Sequence, residues 1–276
     1  EEVVGCREVL NLVYLQAQDL FPLTETVICG LHKELLRHDP AAHRYAGCYK
    51  SSPNQVVSLN HETGERRVVL DPAPPGPLTE SAMRELVVWY NGAIKRHPWP
   101  LLVATEFVFR FLAIHPFQDG NGRLGRALFL LALLQSDDPA LHRAATCVSI
   151  DRQLERHRPQ YYAALQQASN GVYRADAKDY RLEPLAWFFL RMTDAALGDV
   201  ALLRTRYRTL QRLSESATRV LGCFRSSPER RLAPSELESE TGLPRRTVQN
   251  ALRSLVAGGL LQRLGAGRGT RYQLVF

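Results

Sequence analysis

The stretch HPFQDGNGRLGR, residues 115–126, limits what this chain can become more than any other. It sets one His, one Asp, one Asn, three Gly and two Arg between two apolar segments that predict helices over 99–113 and 120–135. A loop of this make-up must run into a helix N-terminus. Gly120 and Gly122 have no Cβ, so backbone N–H groups there can converge on an anion. The helix N-terminus adds unpaired donors and the positive end of a dipole, which favours phosphate. Arg123 and Arg126 leave one face of the first turns, and their forked guanidinium groups suit phosphate oxygens. Asp119 is a hard oxygen ligand of the kind that holds Mg²⁺ among phosphates. His115 stands just outside and titrates near neutral pH, as a general base must. D-G-N-G also opens calcium loops, but the acidic residue that would close one is Leu130 here. The set describes a polyphosphate cradle with a base at its lip.

The surrounding chain is mostly helical in pattern. Val3, Val4, Val9, Leu10, Val13 and Tyr14 recur at helical spacing, as do Val27, Ile28, Leu31, Leu35 and Leu36. QVVSLNHETGERRVVL, residues 55–70, sets two β-branched runs around Thr63-Gly64 and predicts a hairpin. DPAPPGP, residues 71–77, excludes regular structure. Helices are expected at 79–95, with Thr79 as N-cap, and at 151–168 and 182–197. A boundary is expected at 198–212, with a helical linker over 201–212 between a first domain (1–200) and a second (213–276). The second reads as helix (213–227), short helix (234–242), turn, longer helix (243–259) and two strands, the order of a winged helix-turn-helix.

Charge separates the same two parts. Residues 210–276 hold 11 Arg and no Lys against 5 Glu and no Asp, a net +6 of the chain's +7. Arg245, Arg246, Gln249, Asn250 and Arg253 share one face of the longer helix, and Arg268 and Arg271 fall at the wing. That basic face suits DNA phosphate; winged helices also serve as protein-docking or dimerisation modules, and both uses stay open. The longest apolar runs are too short to span a bilayer and no signal segment opens the chain, so a cytoplasmic protein is expected. The five cysteines are dispersed without CxxC spacing, which fits reduced thiols rather than a disulfide framework or zinc site.

HPFQDGNGRLGR matches every defined position of HPFxDGNGRxxR, the signature of the Fic domain family, and residues 1–197 resemble the Fic core as a whole. The resemblance implies a mainly α fold: a Fic-type helical bundle with a small β-hairpin flap at about 54–71, followed by the winged helix-turn-helix of bacterial members. It also implies a protein adenylyltransferase that moves AMP from ATP to a Ser, Thr or Tyr hydroxyl of a target protein or of itself. His115 would take the hydroxyl proton and Asp119 would hold Mg²⁺ on the α- and β-phosphates. Asn121 and the N–H groups of Gly120 and Gly122 would cradle phosphates, Arg123 and Arg126 would contact the β- and γ-phosphates, and Phe117 would turn inward as an anchor. Tyr161 and Tyr162 sit where members line the adenine pocket. The target would dock on the flap by strand addition, and a homodimer is left open. Members that phosphorylate with a reversed nucleotide have Lys where this chain has Gly122. The inhibitory pattern [ST]xxxE[GN] has no complete match, and EEVVGCREVLNLVYL resembles the segment that follows it. The resemblance therefore implies an inhibitory helix upstream of Glu1 whose return would suppress self-modification. The alternatives are a DNA-binding regulator whose core senses nucleotide, and an enzyme that removes AMP.

Overall fold

A computed structural model describes residues 2–59, 64, 66–147, 150–200, 208, 210–211, 213–225 and 228–275. The segments flanking the motif become α4 (Pro100–Ile114) and α5 (Asn121–Gln135), each buried over most of its length. Helices apolar all round belong inside a bundle. These two pack against each other, with Phe107, Phe111, Leu124 and Leu128 wholly enclosed. Around them lie α1 (Glu2–Gln16) and α2 (Glu25–Leu35) on one side, with α3 (Pro77–Ala93) on α4 and α6 (Pro139–Cys147) on α5.

The crossing of α1 and α2 depends on one missing methyl group. A Cβ on Gly5 would lie 2.0 Å from the backbone carbonyl oxygen of Leu35, which cannot swing aside. Gly5→Ala should gain about 1 kcal/mol of helix propensity and lose about 3 kcal/mol to overpacking. Urea unfolding is expected to show a net loss of about 2 kcal/mol.

β1 (Val56–Leu59) and β2 (Arg66–Leu70) pair antiparallel, with Val57 opposite Val68 and Leu59 opposite Arg66. The expected turn residue Thr63 lies outside the described residues. Past β2, Asp71 donates its N–H to the Gly171 carbonyl and accepts from Tyr173, which ties the hairpin to the end of α8 (Arg158–Ser169). Two sequence expectations need correction, and one helix is additional. The single helix over 151–168 is two, α7 (Ile150–Arg156) and α8, broken at His157 because Pro159 starts a new first turn. The additional helix is α6. Thr79 does not cap α3: Pro77 takes the first turn after Gly76, and buried Thr79 donates its hydroxyl to the Pro74 carbonyl at 2.7 Å. α9 (Glu183–Gly198) completes the helices before the boundary.

Two units are distinct, Glu1–Leu197 and Gly198–Phe276. Most of the expected linker, 201–207 with 209 and 212, lies outside the described residues. The second unit contains α10 (Glu215–Arg225), α11 (Pro234–Thr241), α12 (Arg245–Ala257) and the antiparallel pair β3 (Leu261–Leu264) and β4 (Arg271–Leu274). Its core is Val220, Phe224, Leu237, Val248, Leu252 and Leu255. Gly242 takes the left-handed conformation that ends α11 and turns the chain toward α12. The fold is mainly helical, with a small hairpin and a C-terminal winged helix-turn-helix. Among the described residues no helix is long and apolar enough to cross a membrane.

Candidate active site

His115 ends α4 in the left-handed conformation (φ 51°, ψ 57°), with its N–H on the Phe111 carbonyl at 2.8 Å. That conformation costs a non-glycine residue about 1–3 kcal/mol and persists only where neighbours impose it. Its Nδ1 lies 3.2 Å from the Leu112 carbonyl oxygen. A carbonyl can only accept, so the proton sits on Nδ1 and the lone pair on Nε2. Burial pushes the imidazole pKa down to about 4, the Leu112 carbonyl opposes the shift, and the Lys50 ammonium adds to it. At neutral pH the ring is uncharged, with one free lone pair.

The loop closes below it. Phe117 is fully enclosed and stacks on the His32 ring, centroids 3.8 Å apart and planes 9° from parallel. His32 accepts the Gly47 N–H on Nδ1 at 2.9 Å and donates from Nε2 to the Asp119 carbonyl at 2.9 Å. Gly120 then takes φ +79° as the N-cap of α5, and a Cβ there would meet His32 Nε2 at 3.3 Å. No side chain caps this helix, so its first-turn N–H groups remain for a ligand. Asn121 does not offer its side chain to a ligand. Its Oδ1 takes the Phe117 N–H at 2.9 Å and its Nδ2 the Phe117 carbonyl at 2.7 Å, which fastens the loop and leaves only the backbone N–H for a phosphate.

Beside the loop lies a cavity of about 220 Å³. His115, Gly122 and Arg126 form one wall, Tyr161 and Tyr162 another, and Gln55, Val56 and Val57 of the hairpin a third. A Cβ on Gly122 would meet nothing, so glycine there keeps space open rather than relieving a clash. Tyr161 rests against Phe188 and Phe189, while Arg158 lies over the Tyr162 ring at 5.8 Å. Burial raises the Tyr161 phenol, which stays neutral. Arg123 and Asp119 are not among the residues lining this cavity. Arg123 Nη2 donates to Asp119 Oδ2 at 2.8 Å, and its Nη1 meets Glu2 at 3.0 Å. Arg126 Nε pairs with Asp151 of α7. Both arginines border a second cavity, about 150 Å³, between α1 and α5.

Sequence reading missed four residues that hold this site: His32, Lys50, Asn54 and Asp151. His32 left a signal, a polar residue one step from Leu31 on an apolar face. Lys50 and Asn54 left none, because the loop carbonyls they hold lie more than 60 residues away. Among the described residues no cluster of three His, Cys, Asp or Glu could hold a metal alone. Mg²⁺ that arrives on phosphates needs only one or two protein carboxylates, and Asp119, more than half exposed, has one oxygen besides the one on Arg123. That donor set fits such an ion.

In the second unit, Arg245, Arg246, Asn250 and Arg253 are exposed on α12 and Gln249 is half-buried, while Val248, Ala251, Leu252 and Leu255 face the core. Arg271 is exposed on β4. The Arg268 side chain lies outside the described residues.

Residues 22–133 match the Fic/DOC family and residues 215–265 the IclR helix-turn-helix domain. The chain is 28% identical over 227 residues to a protein adenylyltransferase Fic of Nematostella vectensis, covering 80% of this chain and 43% of that protein. With the protein adenylyltransferase Fic of Culex quinquefasciatus it shares 29% over 182 residues, 56% of this chain and 34% of that one. The chain thus spans less than half the length of these relatives. A Fic family protein from Desulfovibrio desulfuricans G20 superimposes with a TM-score of 0.54 at 22% identity over 99% of this chain and 74% of that one, a likeness of fold. A Fic domain containing signaling protein from Bacteroides thetaiotaomicron gives 0.54 at 27% identity, over 73% and 70%.

Proposed function

Given that residues 22–133 match the Fic/DOC family, we propose that this protein transfers AMP from ATP to a hydroxyl of a protein side chain. The observation that carries the reading is His115. Its neutral imidazole, proton on Nδ1 and Nε2 free, borders one cavity together with Gly122 and Arg126 at the start of α5.

The steps follow from that arrangement. ATP phosphates lie on the first-turn N–H groups of α5, and Arg126 leaves Asp151 to pair with a phosphate, a stronger anion. Arg123 likewise exchanges Asp119 for phosphate oxygen, and Asp119 is the residue that would hold Mg²⁺. When bound, that ion neutralises charge on the phosphates. Tyr161 and Tyr162 give the base an aromatic wall. The target hydroxyl gives its proton to His115 Nε2 while its oxygen bonds to the α-phosphorus. The bond from that phosphorus to the bridging oxygen breaks, and pyrophosphate leaves. Most of the acceleration is positioning and charge stabilisation, with proton transfer added. Gly122 leaves room for phosphates in the usual direction.

The hairpin supplies the docking edge. Gln55 to Val57 border the cavity beside His115, and a two-stranded sheet leaves backbone groups unpaired on its outer edges. An extended segment of a target, or of a second copy of this chain, would add there and bring a hydroxyl to the imidazole. The test is tandem mass spectrometry after incubation with ATP, Mg²⁺ and a bacterial lysate. AMP is expected on a Ser, Thr or Tyr of one or a few proteins; its absence from every protein, this chain included, refutes the reading.

The second unit adds duplex DNA as a partner, supported by the likeness to a helix-turn-helix domain and by the outward Arg245, Arg246 and Arg253 of α12. Non-specific binding of this kind weakens steeply with salt. Arg245→Ala/Arg246→Ala is expected to weaken duplex binding at least about tenfold and to flatten its salt dependence. Unchanged titrations would assign this face to a protein partner.

A further inference from the structure

Four consecutive backbone carbonyls, those of residues 114 to 117, are held by two side chains and one N–H from a segment far away in sequence. Lys50 Nζ donates to the Ile114 carbonyl at 3.1 Å, and the Lys50 N–H to the Pro116 carbonyl at 2.8 Å. Asn54 Nδ2 donates to the Phe117 carbonyl at 2.7 Å and to the His115 carbonyl at 3.3 Å. Lys50 Nζ also donates to Asn54 Oδ1 at 2.8 Å, which orients the amide toward the loop. Lys50 is only 3% exposed, and both its partners are neutral oxygens.

A buried ammonium held by neutral oxygens is an expensive way to finish a helix. Capping orphan carbonyls at a helix C-terminus is ordinarily left to glycine and water. Here the next residue cannot be glycine, because it carries the imidazole. His115 must nonetheless adopt the left-handed conformation at the end of α4, with Nδ1 on the Leu112 carbonyl. Something outside the loop has to impose that conformation, and Lys50 with Asn54 grips the peptide groups on both sides of it.

Resting on the transfer reaction proposed above, we propose that Lys50 and Asn54 are positioning residues: they fix the carbonyls of residues 114–117 and so aim the His115 ring at the incoming hydroxyl. Neither residue touches the nucleotide. The phosphate cradle at Gly120–Arg126 has its own hold in His32, which grips the Asp119 carbonyl; the Asn121 amide meets Asn54 only at the Phe117 carbonyl, which Lys50 does not touch. Loosening Lys50 therefore misplaces the base and spares the cradle.

The test compares the 276-residue chain with its Lys50→Met, Lys50→Arg and Asn54→Ala variants. Lys50→Met is expected to lower kcat for AMP transfer on the order of 100-fold, the scale of a 1 Å misplacement, with KM for ATP changed less than about threefold. Asn54→Ala should move kcat in the same direction by a smaller factor, and Lys50→Arg, which keeps charge and donors, should restore most of the rate. Amide hydrogen exchange should speed up across residues 112–119 in Lys50→Met and stay unchanged in α2 and α3. A rate equal to the parent's, or kcat and ATP affinity falling together with protection lost throughout, overturns the proposal. A parent chain that transfers no AMP refutes the reaction, and the exchange comparison then decides the positioning role by itself.

Discussion

His115→Ala is expected to bind ATP within about threefold of the parent chain and to transfer AMP about 1000-fold more slowly, within the range lost with a general base. The separation follows from geometry. In the proposed reaction the first-turn N–H groups of α5 and the two arginines take the phosphates, and none of them is held by the imidazole. Isothermal titration gives the first quantity and labelled transfer the second. The same residue sets the pH dependence. Burial lowers its pKa from 6.5 to about 4, so the base form persists well below neutrality. The rate should stay nearly flat from about pH 8 to 5.5, where an ordinary imidazole would already have lost most of its basic form. A limb centred near the ordinary value of 6.5 would show that His115 is more open to water than its surroundings here allow.

Phe117→Ala is the second large effect, and it acts in the opposite manner, on stability and on both functional steps. The ring is fully enclosed, stacked on His32 and tilted against Tyr49 and Phe111 at 5.7 and 6.3 Å. Removing a buried phenyl ring costs about 3–5 kcal/mol, a large share of the about 5–15 kcal/mol that holds a typical domain. His32 then loses its stacking partner while still holding the Asp119 carbonyl. Urea unfolding should show the loss in the first unit. Transfer and ATP affinity should fall together, unlike in His115→Ala. A variant within about 1 kcal/mol of the parent would mean the pocket collapses around the gap, as the spread among such substitutions permits.

The motif was legible because its chemistry is compressed into twelve adjacent residues, and adjacency is what sequence displays. The packing of α4 on α5 followed from their apolar make-up, and the winged helix from its order of elements. What was hidden depends on distance. Lys50 sits in a segment that reads as an ordinary polar loop, and its partners, the Ile114 and Pro116 carbonyls, have no side-chain signature at all. Asn121 illustrates a different point: a polar residue in a phosphate motif reads as a ligand contact, and its bonds to Phe117 have no signature in the sequence. The break at His157 was missed because apolar positions continue in phase across it, and Pro159 reads as a helix start only once a break is assumed. Asp151 carries no signal in the sequence, although it pairs with Arg126. In the proposed reaction a phosphate takes the place of that carboxylate on Arg126.

The most direct measurement of the central claim uses two samples of ATP, one labelled in the α-phosphate and one in the γ-phosphate, each given to the protein with Mg²⁺ and with lysate. The account predicts protein-bound label from the α-labelled sample, none from the γ-labelled one, and none from either with His115→Ala. Label arriving from the γ-phosphate, or persisting at full level without the imidazole, would contradict it.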